Sequence, residues 1–287
     1  MKVTRFNYYL NEFLISKLDL MIDRVKKPQP KLDCFLLIEG KEGEGKTTLS
    51  IACGYYISEK TGRSFNHTNV FADVEKLIKF AQETEEQIII WDEPALHALS
   101  GDHASKTLKD LTRFLMMARK KRHFIIINVT YFNKFNDYLI WQRPVGMIHV
   151  YAKDNIPGYY IYIKQKNLER LWQDWRKYRQ RNYGKWAVPG VRGTFPDVLN
   201  PDYEFNVLGD FDINYYEKQK DDAIRRISGN NPTESDASLE LKKFKREVRW
   251  AIAKMKKPTL QEFAEKIGIN ERTIRRWGEF EIPEEII

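Results

Sequence analysis

Cysteine is nearly absent: Cys34 and Cys53 are the only two in 287 residues. Both lie beside apolar residues, without metal-like spacing to histidine, which argues against a disulfide framework or a thiolate zinc site. Histidine is scarce too, and His97 and His103, which flank Ser100-Gly101-Asp102, are too few and too far apart for a metal centre. That stretch reads as a polar loop. No segment approaches the ~20 consecutive apolar residues of a membrane span. The start, Met1 to Phe6, scatters charge among its apolar residues and has no small-residue cleavage pattern. No internal repeat is present. These absences lead to the expectation of a reducing, cytoplasmic protein with no membrane segment.

The composition is that of a soluble chain, 42% hydrophobic and 31% charged, with a formal net charge of +8. Net charge speaks to association with polyanions rather than to a site. The length suits one large domain and one small one.

Apolar residues recur at helical spacing from Phe6 to Val25 (Leu10, Phe13, Leu14, Leu18, Met21, Ile22) until Pro28 and Pro30 end the pattern. Cys34 to Ile38 is a continuous apolar run, as a strand buried on both faces requires, and a helix is expected from Thr47 to Lys60. Ile88 to Trp91 and Phe124 to Ile127 repeat the strand pattern, each reached through a helical stretch, Asp73 to Gln82 and Lys106 to Arg119. Strands alternating with helices predict an α/β fold with a mainly parallel sheet and helices on both faces. Val145 to Tyr151 and Tyr159 to Ile163 read as an antiparallel hairpin, with the core ending near Lys164. The expected domains are an N-terminal helix over 1–30, a core over 31–165, a basic helix and irregular linker over 166–235, and a small all-α domain over 236–287.

Gly40-Lys41-Glu42-Gly43-Glu44-Gly45-Lys46-Thr47 lies between an expected strand and an expected helix. Glycines there let backbone N–H groups converge on phosphate at a helix N-terminus. In this reading Gly40, Gly43, Glu44, Gly45, Lys46, Thr47 and Thr48 hold the nucleotide. Lys46 reaches the β- and γ-phosphates, and the Thr47 hydroxyl ligates Mg²⁺. Asp92 and Glu93 end an apolar strand, placing a metal-side acid beside a general base. Asn128 ends the next strand and either hydrogen-bonds the attacking water or begins a loop. Arg113, Arg119, Lys120, Lys121 and Arg122 crowd a basic helix end, and Arg143 precedes Pro144. Arg119 and Arg143 are the candidates for an arginine given to a neighbouring subunit, and helix-dipole complementarity accounts for the rest.

These motifs, from Lys31 to Lys164, resemble the ASCE branch of P-loop ATPases with its RecA-like fold. They look most like the HerA/FtsK group, which includes zonula-occludens-toxin-like proteins of viruses and plasmids. The resemblance implies ATP and Mg²⁺ as cofactors and a homo-oligomer, often a hexameric ring, that moves DNA. One residue departs: such proteins often carry Gln at the position of Asn128, so initiator- or helicase-loader-like relatives stay open beside the ring motors.

Leu260 to Trp277 has helix-turn-helix spacing. Ala264 allows close helix contact, Gly268 allows the turn, and Phe263, Ile267, Ile269, Ile274 and Trp277 fall inward. Asn270 would cap the second helix and leave Arg272, Arg275 and Arg276 facing a major groove. A charged protein-interaction module is the alternative. Trp172, Trp175, Tyr178, Tyr183 and Trp186 interleave with basic residues, as either base-stacking or core-packing groups. The sequence therefore leads to a DNA-acting ATPase, with an ATP-switched DNA-binding factor as the alternative.

Overall fold

The computed structural model describes residues 2–3, 9–92, 109, 111–116, 118–130, 132, 135, 137–195 and 211–227. The chain divides into two units, Met1–Gly229 and Asn230–Ile287. The second unit, with Asn270, Arg272, Arg275 and Arg276, lies outside the described residues, as do Glu93, His97 and His103.

Lys2–Val3 (β1) and Tyr9–Leu10 (β2) pair antiparallel before helix α1 (Glu12–Lys26). A helix from Phe6 was expected. Leu10 instead belongs to β2, and Asn11 caps the helix by accepting the Phe13 N–H at 2.9 Å. Leu14, Leu18, Met21, Ile22 and Val25 are buried as their spacing predicts, but Phe13 is 55% exposed.

The main elements follow in the order β3 (Cys34–Glu39), α2 (Lys46–Thr61), β4 (Val70–Phe71), α3 (Val74–Glu83), β5 (Ile88–Trp91), β6 (Phe124–Val129), β7 (Gly146–Lys153), β8 (Ile156–Lys164), α4 (Gln165–Tyr178), α5 (Tyr183–Trp186), β9 (Arg192–Thr194) and α6 (Ile213–Ile227). Seven strands form one sheet in the order β4-β5-β6-β3-β7-β8-β9. The first five run parallel, and β8 and β9 add antiparallel at one edge. Asp154 and Asn155 turn the β7–β8 hairpin with φ of 52° and 59°, which their short polar side chains tolerate.

Every residue of β3, β5 and β6 is buried, so each strand serves two cores. Cys34, Leu36, Ile38, Ile88, Ile90, Phe124 and Ile126 join α1 and α2 on one face. Phe35, Leu37, Ile89, Trp91, Ile125 and Ile127 join α3, α4 and Leu111 to Leu115 on the other. The alternation is the period of two of the strand itself. Each large side chain buried this way contributes about 1.5–3 kcal/mol.

Two expectations change beyond Lys164. The sheet does not end there: β9 pairs with β8, Tyr160 opposite Gly193. The stretch expected to be irregular holds α5, β9 and the 15-residue α6. Phe211 and Tyr216 bury against the α2 side of the sheet, and that apolar contact anchors the start of α6 there. Among the described residues, no helix is long and apolar enough to cross a membrane.

Candidate nucleotide site

The glycine loop runs from the C-terminal end of β3 to the N-terminus of α2. Gly45 caps α2 with φ 96° and ψ 21°, a left-handed conformation that a side chain would strain. Gly40 is needed for a different reason: a Cβ there would lie 2.4 Å from the Val150 carbonyl oxygen. Glu44 closes the loop by accepting the Lys41 N–H through its carboxylate. Lys46 is 8% exposed, and its ammonium donates to the Lys41 carbonyl at 2.8 Å. The loop and the α2 N-terminus thus present backbone donors and a lysine at one place, the arrangement that binds anions.

Strand β6 lies between β3 and β5, so an amide from β6 separates the loop from the acid that follows β5. Asp92 is 1% exposed. Its Oδ1 accepts from Thr47 Oγ1 at 2.9 Å and from Asn128 Nδ2 at 2.7 Å. Asn128 Nδ2 also donates to Ser50 Oγ at 3.0 Å, and Ser50 donates to the Thr47 carbonyl at 2.8 Å. Asn128 is therefore a strand residue inside the site, opposite Ile38 in register, and not the start of a loop. Its Oδ1 is buried, and no described residue donates to it.

The other Asp92 oxygen is held by α6. Tyr216 donates its hydroxyl to Oδ2, and the Lys220 ammonium lies 3.0 Å from the same atom. Burial pushes the Asp92 carboxyl up, but the Lys220 charge and hydrogen bonds from Tyr216, Asn128 and Lys220 outweigh it and bring it down to about 2. Burial and the neighbouring Asp92 charge push the Tyr216 hydroxyl well above its usual value, so it stays a donor.

The donors suit a small hard cation. Thr47 and Asp92 offer oxygen atoms 2.9 Å apart, and Mg²⁺ takes one or two such protein ligands with phosphate and water completing its shell. No group of three or more His, Cys, Asp or Glu able to hold a metal occurs among the described residues.

The two arginines expected to act in trans differ. Arg143 is buried and paired with Asp33, their side chains 3% and 1% exposed. Asp33 precedes β3, so the pair lies at the end of that strand opposite the glycine loop, about 20 Å away at 3.3 Å per residue. Burial in this ion pair removes Arg143 from the catalytic candidates. Arg119 is exposed, in the turn Ala118–Lys121. Thr48 is buried in the first turn of α2.

Ser50, Tyr216 and Lys220 join the site without having been expected there. The last two had a signal: Ile213, Tyr216 and Lys220 fall at helical spacing within a stretch whose Gly, Pro and Asn content had suggested a linker. A second buried carboxylate lies next to the loop, with Glu39 accepting from the Tyr183 hydroxyl at 2.8 Å and lying 2.6 Å from His149 Nδ1. These contacts tie α5 and β7 to the residue before Gly40.

No protein-family model and no curated protein matches the chain. Among solved structures, the Holliday junction branch migration motor RuvB of Thermotoga maritima is similar at 11% identity and TM-score 0.35, over 96% of this chain and 87% of that one. The AAA domain of FIGL-1, solved with ADP, is similar at 11% identity and TM-score 0.37, over 83% of this chain and 87% of that one. PCH-2 of C. elegans is similar at 14% identity and TM-score 0.33, over 50% of this chain, which spans only 42% of PCH-2. At such scores the likeness decides nothing, and the fold is assigned on the strand order, the glycine loop and the helix it opens, which are those of a P-loop NTPase.

Proposed function

We propose that this protein is a Mg²⁺-dependent ATPase that acts on DNA as a cytoplasmic homo-oligomer, a hexameric ring of the kind used in viral or plasmid DNA transfer. The observation that carries the ATPase reading is the contact of Thr47, Asp92 and Asn128 beside the glycine loop. Backbone N–H groups of the loop and the Lys46 ammonium hold the phosphates. Thr47 and Asp92 would hold Mg²⁺, whose charge would offset the charge that develops on the phosphates. Asn128 Oδ1 is an acceptor suited to a water hydrogen, and Glu93, which follows Asp92 in sequence, is the proposed general base. Exposed Arg119 supplies the charge given to a neighbouring subunit. DNA as the partner is supported by the helix-turn-helix spacing of residues 260–277, with Asn270 capping and Arg272, Arg275 and Arg276 reading the groove.

Lys46→Ala is expected to abolish DNA-stimulated hydrolysis. Arg119→Ala, inactive alone, is expected to regain activity when mixed with Lys46→Ala subunits, since each then supplies what the other lacks. Intact DNA-stimulated hydrolysis in Lys46→Ala sinks the proposal.

A second reading, an ATP-switched DNA-binding factor with slow turnover, is favoured by one observation: α6 engages the metal-side acid directly. Sustained directed movement on DNA in single-molecule tracking excludes it.

A further inference from the structure

A carboxylate has about four lone-pair sites, and all four on Asp92 are engaged. Thr47 and Asn128 engage Oδ1, and Tyr216 and Lys220 engage Oδ2. A divalent cation, or its water, that reaches this acid must displace a donor. The two donors from α6 are unequal. Tyr216 is 2% exposed and packs against Phe211, ring centroids 6.0 Å apart. Lys220 is 18% exposed, carries the same sign of charge as the cation, and lies at the end of a flexible side chain with a path to water. Charge repulsion and solvent access both select Lys220 as the group that leaves.

We propose that α6 is part of the metal–nucleotide site, with Tyr216 positioning Asp92 and Lys220 competing with the divalent cation for the same carboxylate oxygen. The proposal rests on Asp92 being the metal-side acid.

The test is a titration of the full-length, EDTA-stripped protein with MgCl₂ at fixed N-methylanthraniloyl-ATP, read by fluorescence. In Lys220→Met the half-saturating Mg²⁺ concentration is expected to fall about tenfold, the affinity equivalent of one charge-assisted hydrogen bond. Lys220→Arg, which keeps the charge, stays within about threefold of wild type by the same reasoning. Thermal melting confirms the fold of each variant, and Lys220→Gln serves as the neutral variant where the Met form does not melt cooperatively. A folded neutral variant whose half-point is unchanged or higher overturns the competition while leaving the ATPase reading intact. A wild-type signal that ignores Mg²⁺ overturns both.

Discussion

Asp92→Asn keeps the shape of the buried Asp92 side chain and removes its charge, and the cost can be worked from the structure. Despite burial, the Lys220 charge and the hydrogen bonds that Asp92 accepts hold the carboxyl at about 2 in the fold against an ordinary value of 3.8. At 1.36 kcal/mol per unit, that difference stabilises the native state by about 2 kcal/mol. Because the folded value lies below the unfolded one, the contribution is complete above the unfolded pKa and is lost as pH falls through the folded one. The window is therefore about pH 5 to pH 1, with roughly half of the effect gone by pH 3. Urea unfolding of wild type and Asp92→Asn at pH 7, 5, 4 and 3 reads the gap directly. It should be about 2 kcal/mol at pH 7 and pH 5 and about half that at pH 3. Lys220 can rehydrate when its partner becomes neutral, which keeps the cost below the 3–5 kcal/mol of a fully enclosed pair. A gap that does not change with pH, or a variant as stable as wild type, would refute the reasoning.

Two further substitutions separate the site from its support. Asn128→Ala removes the amide that touches Asp92 and Ser50, and single-turnover hydrolysis should fall by about 10²-fold or more while nucleotide affinity shifts by less than about threefold; equal losses in both would assign Asn128 a structural role. Arg143→Ala leaves Asp33 buried without its partner and should cost about 3–5 kcal/mol in urea unfolding, with nucleotide affinity unchanged because the pair lies at the far end of β3; a loss under about 1 kcal/mol would mean that water screens the pair.

The parts of this protein legible in the sequence are those whose chemistry demands particular residues at consecutive positions. The glycine loop is one, because a left-handed Gly45 and a Gly40 pressed against Val150 leave few substitutes. The buried strands are another, because each run of apolar residues must face two cores at once. Val70–Phe71 was illegible because two residues carry no period, and β9 because three do not either. Phe13 misled because periodicity reports a face and not its neighbours: the apolar stripe on α1 is wider than the groove that receives it. The hardest contacts were those made across great separation in sequence. Arg143 meets Asp33 over 110 residues, and Tyr216 meets Asp92 over 124. An arginine before a strand looks the same in sequence whether it faces a neighbour's phosphate or is buried in an ion pair, since only the placement of β3 beside β7 brings Asp33 to it. Tyr216 and Lys220 fell within a stretch read as irregular linker for the same reason. Their role depends on Phe211 and Tyr216 packing on the α2 side of the sheet, and that packing places a lysine on the carboxylate a cation would seek.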